Sequence, residues 1–218
     1  MSFAAIVGKD LRLEFRRPET LLAAFLLGLG VLLALRLALP ADPRATGAAA
    51  IWLALFLSGT LVLLRGFARE HEDGTLDLLL LSRASRWGIF TAKAAAAFVS
   101  LGLLAAFVTA VGVAMYEIDL GLSGAGLAAA LAVGLFALAV LGTYAGALSA
   151  RARDRQALLP AVLVAIGLFT ILLPCVSATL HAFFGETWGA LADLRFPAAT
   201  GLAVLALAAV TIDRVLEE

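Results

Sequence analysis

Cysteine occurs once in 218 residues, as Cys175, and histidine twice, as His71 and His181. A single thiol excludes a disulfide framework and any multi-cysteine metal site. Two histidines leave almost no material for a histidine-rich one. Charge is scarce as well: 15% of residues are Asp, Glu, Lys or Arg, against roughly 25% in an ordinary globular domain. Sixteen basic residues balance sixteen acidic ones, so net charge points to neither nucleic acid nor a polyanionic substrate. What fills the chain is apolar, 63% hydrophobic with a mean hydropathy of +1.04. A globular domain is about 45–50% apolar. The composition is that of an integral membrane protein.

The few charges locate the spans. Crossing an apolar layer of about 30 Å takes about 20 apolar residues of helix. Six stretches are free of Asp, Glu, Lys and Arg and long enough to seed a span. They predict spans at about 20–39, 47–65, 92–116, 124–150, 157–180 and 196–213. A charge at a span centre costs roughly 2.5–3.5 kcal/mol on insertion scales, so charges gather at the ends. Apart from Arg65, Lys93 and Asp213 at span limits, only Arg36 falls inside a span, close enough to its end to snorkel out.

Loop charge sets the expected orientation. Thirteen of the sixteen Lys and Arg fall in the first tail, the loops after spans two and four, and the last tail. Arg36, Arg44 and Arg195 are on the other side. By the positive-inside rule both termini are cytoplasmic. A cleaved signal peptide over the first span is disfavoured, because Asp10, Glu14 and Glu19 interrupt its basic flank.

No catalytic pattern is present. The chain has no GxxxxGK[ST] loop for ATP, no HExxH and no CxxCH. His71 and His181 are expected at opposite membrane faces, and no span carries paired histidines. His181 reads as an interfacial hydrogen-bonding residue and Cys175 as a small buried apolar one. Pro174, late in span five, removes the donor for the Thr170 carbonyl, so a kink or local unwinding is expected there. Pro160 falls in the first turn, where it is tolerated. The Gly142-x-x-x-Gly146 spacing in span four permits close helix approach.

Three non-spanning segments carry pattern. In residues 1–19, Phe3, Val7, Leu11 and Phe15 recur every four residues, with Lys9, Arg12 and Arg16 on another face. This predicts an interfacial helix under the membrane, though Asp10 and Glu14 lie close to the apolar stripe. In residues 181–195, Phe184, Trp188 and Leu191 at helical spacing predict a short helix at the external face. In residues 66–91, mixed charges end at Gly74. Thr75 or Asp73 can then cap a short helix whose run Leu76, Leu78–Leu81 is apolar around most of its circumference. Such a helix rests on its own bundle or docks on a protein. The acids Glu70, Glu72, Asp73 and Asp77, which anionic lipid repels, favour the protein.

The run EHEDGTLDLLLLSRASRWGIFTAK, Glu70 to Lys93, resembles the cytoplasmic loop of ABC-2-type transporter membrane subunits. Six spans with both ends inside fit that superfamily. Within it the chain is similar to the CcmB family, the haem exporter protein B family of cytochrome c maturation. The likeness rests on the tail KDLRLEFRRPE (Lys9–Glu19), on RGFAREHEDGTLDLLLL (Arg65–Leu81) and on LLPAVLVAIGLFTILLP (Leu158–Pro174). The family tends to place proline soon after the leucine run, where this chain has Ser82-Arg83-Ala84, which bears on how that helix ends.

The resemblance implies one ABC-2-type transmembrane domain over residues 1–218, all-α, in a bacterial inner membrane. It implies a coupling helix carried by Glu70, Glu72, Asp73, Gly74, Thr75, Leu76, Asp77, Leu78 and Leu79. The implied partners are a cytoplasmic ATPase subunit that binds the ATP, a second copy of the chain, a haem-handling membrane protein and a periplasmic haem chaperone. Haem is implied as a handled ligand rather than a resident cofactor, and the chain itself is no enzyme. Two other readings stay open from the residues. One is an ABC-2 exporter of a lipid-linked glycan, drug or peptide. The other is a non-transport membrane scaffold or intramembrane enzyme.

Overall fold

The computed structural model describes residues 3–16, 18–39, 42–72, 85–121, 124–149 and 161–217. They are helical throughout apart from short turns. The helices are α1 (Phe3–Arg16), α2 (Glu19–Ala38), α3 (Pro43–Glu72), α4 (Arg86–Met115) and α5 (Gly124–Ser149). A π-helical segment, Leu163–Leu172, then runs directly into α6 (Leu173–Phe183), and α7 (Thr187–Glu217) follows. Among the described residues six helices are long and apolar enough to span a membrane, the π segment and α6 counting as one.

Glycine positions fix the directions. A Cβ on Gly28 of α2 would lie 3.6 Å from Ser58 Oγ of α3 and 3.0 Å from Val108 of α4. Four residues on, the side chains of Leu32 on α2 and Ile51 on α3 meet Gly112 of α4. So α2 and α4 run parallel and α3 runs against both. Trp52 and Leu63 on α3 meet Gly134 and Gly142 on α5 in the same order, and Phe136 and Tyr144 on α5 meet Gly201 and Thr211 on α7. These three are parallel. Phe56 of α3 packs on Gly167 and Trp52 bonds Thr179, so the fifth span opposes them. The six spans therefore alternate in direction, and α1 lies at the end of the bundle where α4 begins and α3, α5 and α7 finish. That end is called the terminal end below, and the opposite one the far end.

Lipid tails are as apolar as leucine, so burying apolar area does not drive helix pairing inside a membrane. Close backbone approach at small residues does. The central helices α3 and α5 carry that load: Ala48, Ala50 and Ala54 on one, Ala130, Ala137 and Ala145 on the other are fully buried. Gly142 belongs to this seam, where a Cβ would overlap the Leu63 side chain. Several hydroxyls within the spans are satisfied by their own helix, although the buried hydroxyls of Thr109 and Thr143 have no hydrogen-bond partner. Thr60, Thr200 and Thr211 donate to the carbonyls four residues earlier, at 2.7, 3.0 and 2.8 Å.

The structure departs from the predicted spans in three places. First, α3 and α4 each run for 30 residues, about 45 Å at 1.5 Å per residue, well beyond the apolar layer. Charges at Arg65, Arg69, Glu70 and Glu72 mark where α3 leaves that layer, not where its hydrogen bonding ends. Second, the unwinding expected at Pro174 takes the form of ten π-helical residues N-terminal to it. Leu173 N–H bonds Leu168 O, five residues back, a wider turn that suits a stretch in which proline withholds a donor. Third, residues 187–195 form no separate helix. They are the first turns of α7, which passes Pro197 without a break.

Candidate functional site

The segment singled out by sequence sits at the terminal end, between two helices that the structure describes. Glu70 and Glu72 fall in the last turn of α3. Asp73, Gly74, Thr75, Leu76, Asp77, Leu78 and Leu79 lie outside the described residues. The chain is described again at Ser85, whose Oγ accepts from Gly88 N at 3.1 Å and caps α4. Ile89 N–H closes the first turn on Ser85 O at 3.0 Å. Residues 73–84 lie in sequence between α3 and α4, two helices that pack against each other.

The third member of this end is α1. From the apolar stripe predicted for it, Val7 packs on buried Ile89 and Ala92 of α4. Asp10, which spoiled the amphipathic pattern in sequence, has a physical reason. Its carboxylate lies 4.0 Å from Lys93 Nζ and 3.6 Å from Lys9 Nζ. Both Asp10 and Lys93 are largely covered, so α1 is attached to α4 by an apolar contact and an ionic one side by side. No periodicity rule points to an acid that pairs across 83 positions of sequence.

Inside the bundle the buried polar residues are Thr20, Thr46, Ser58, Ser100, Thr143, Ser149 and Thr179. Trp52 Nε1 donates to Thr179 Oγ1 at 2.8 Å, and Cys175 is fully buried beside Gly134. Among the described residues no group of three His, Cys, Asp or Glu is placed to hold a metal ion. Arg36 stands 5.6 Å from the centroid of the Tyr116 ring, whose hydroxyl donates to Leu32 O at 3.1 Å. His181 is at the far end and hydrogen-bonds Glu186, the interfacial role expected of it.

A family model for the CcmB protein matches residues 1–217. The chain belongs to the CcmB family. A curated relative, heme exporter protein B of Bradyrhizobium diazoefficiens, is 32% identical over 166 residues, covering 75% of this chain and 74% of that protein. Six apolar helices, a helical terminal end and an acid–Gly–Thr–Leu–acid segment between the second and third spans are therefore features of a CcmB-family chain. Of the three sequence stretches that framed the resemblance, the described parts of two, in α1 and in the last turns of α3, fall at the same end of the bundle.

Proposed function

We propose that this CcmB-family protein is the membrane-spanning subunit of an ABC transporter complex. It serves haem delivery for periplasmic cytochrome c maturation and works with a separate ATPase in a bacterial inner membrane. The family match over residues 1–217 carries this reading, together with the name of the Bradyrhizobium relative. The terminal end is cytoplasmic, because thirteen of the sixteen Lys and Arg belong to segments at that end. A second copy of the chain completes the membrane core. A haem-handling membrane protein and a periplasmic haem chaperone are the further partners.

ATP-driven work reaches this chain mechanically. The contact is the segment from Glu70 to Leu81, with Leu76, Leu78 and Leu79 as anchors in a groove of the ATPase. Glu70, Glu72, Asp73 and Asp77 set its register against basic residues. Gly74 supplies the turn, since glycine alone accepts a positive φ without strain, and Thr75 offers a capping hydroxyl. A push on this segment is delivered to α3 and α4 together, and through α4 to α1. The output is release of the haem-loaded chaperone.

The test is deletion of the gene followed by haem staining of periplasmic c-type cytochromes. Loss of the stained bands, restored by the intact chain, is the expected result. Stained bands that persist while export of a lipid-linked glycan, drug or peptide fails would transfer the chain to that other class of exporter.

A further inference from the structure

At the far end the chain reverses between α6 and α7 through Phe184, Gly185 and Glu186. Gly185 has a φ of +78°, a conformation that favours glycine. Three titratable side chains converge on this corner. His181 Nδ1 is 2.6 Å from Glu186 Oε2, and His181 Nε2 is 3.6 Å from Asp193 Oδ2. Asp193 Oδ2 is itself buried and accepts no hydrogen bond. The imidazole lies flat against α7 at Gly189, where a Cβ would stand 2.8 Å from Nδ1.

We propose that His181, Glu186 and Asp193 form a proton-operated latch that fixes the α6–α7 corner at the far end of the bundle. A neutral imidazole has one N–H and can serve one carboxylate. Only the imidazolium carries a donor on each nitrogen, and only it offers a cation to both carboxylates. Without the second donor, one of the two carboxylates, Glu186 or Asp193, loses its compensating group, which disfavours the closed corner. Histidine is the side chain whose charge ordinarily changes between about pH 5 and pH 8. The latch is therefore closed while the imidazole carries its second proton and released when that proton leaves.

The other charged side chains described at the far end are arginines and carboxylates, with Arg36, Glu117 and Asp119 around the α4–α5 turn. On α3, Asp42 caps Arg44 N at 3.2 Å, and Arg44 reaches Phe183 O at 3.4 Å with its guanidinium 5.8 Å from the Phe184 ring centroid. On α7, Arg195 stacks on Phe196. The α5 helix contributes no charged residue over Gly124–Ser149. Arginine stays protonated and ordinary carboxylates stay ionised throughout the range, so the imidazole is the moving part. What it moves is an exposed apolar face. Trp188 is 84% exposed, Leu191 58% and Phe184 54%, all on the corner or the first turns beyond it.

Hydrogen–deuterium exchange of the full chain in lipid nanodiscs tests this, read on peptides covering 181–195 at about pH 5.5 and about pH 8 after correction for intrinsic rates. Exchange at 184–191 should be slower at the lower pH by on the order of fivefold, the size of one partly covered charged contact. His181→Gln, uncharged at both values, should exchange at the fast rate at both. Asp193→Asn, nearly isosteric, should also lose most of the difference. Gly189→Ala alters no charge but pushes the ring off α7, and it should shrink the difference too. A pH difference that survives in His181→Gln, or none in the unaltered chain, overturns the proposal. If His181→Gln does not insert, Asp193→Asn decides alone, and an unchanged pH difference there overturns it.

Discussion

Asp10 on α1 and Lys93 on α4 face each other at 4.0 Å, one turn beyond the contact of Val7 with Ile89 and Ala92. An acid close to the apolar stripe of α1 is thereby matched to a lysine in α4. The pairing fixes which way α1 lies on the bundle.

Reversing that charge should detach the helix. Asp10→Lys places like charges together and should weaken α1 docking by about 1 kcal/mol, the upper range for a partly exposed pair. Faster amide exchange over residues 5–14, with unchanged insertion of the spans, is the expected readout. Asp10→Lys combined with Lys93→Asp should recover most of the loss. No recovery would mean that the ionic contact contributes nothing and that Val7 alone holds α1.

Coupling can be broken without disturbing the bundle. Asp73→Lys with Asp77→Lys should leave the six spans inserted, yet reduce co-purification of the ATPase subunit and stop cytochrome c maturation. Leu78→Ser with Leu79→Ser should do the same by removing apolar anchors, each such loss costing about 1–2 kcal/mol or more of binding. Both variants retaining the ATPase and supporting maturation would reduce the segment to a loop resting on its own bundle.

Orientation is open to direct measurement. Reporter fusions ending at Asp42, Ser123 or Glu186 should report an external location, and fusions ending at Arg65 or Ala150 an internal one. An internal signal at Glu186 would contradict the placement of the far end on the periplasmic side.

The hydrogen bond from Trp52 to Thr179 ties α3 to α6 where both are buried. Thr179→Val keeps the shape and removes the acceptor, leaving an indole N–H without a partner. A stability loss of about 1–3 kcal/mol is expected, read as a lower midpoint of thermal unfolding in detergent. Thr179→Ser, which keeps the hydroxyl, should lose much less. Equal losses in the two variants would assign the effect to packing.

How much of this could be read from residues alone follows from the physics of each signal. Charge exclusion from lipid is strong, so the number of spans and their order were legible without coordinates. The same signal ends a span at the first cluster of charges, which is why α3 was predicted to stop near residue 65 although its backbone hydrogen bonds continue to Glu72. Phe184, Trp188 and Leu191 were legible as an exposed face, but not that Trp188 and Leu191 belong to the last span, because Asp193 and Arg195 interrupt the apolar run. A break near Pro174 was legible; its form, ten π-helical residues N-terminal to the proline, was not. His181, Glu186, Gly189 and Asp193 could not be connected, since their meeting depends on the reversal at Gly185. The candidate coupling residues were found through family likeness and a Gly-Thr-Leu spacing.

The length of α3 has a mechanical consequence. Its last turn holds Glu70 and Glu72, and its first holds Arg44, which reaches the carbonyl of Phe183. Proline occurs only at its start, so one continuous ladder of hydrogen bonds joins the two aqueous boundaries. Under the coupling proposed above, a tilt imposed near Glu72 would arrive at Arg44 as a displacement of opposite sense, with the buried middle around Ala54 and Ser58 as fulcrum. In that proposal α3 acts as a lever arm, and the corner between α6 and α7 is the load at its short end.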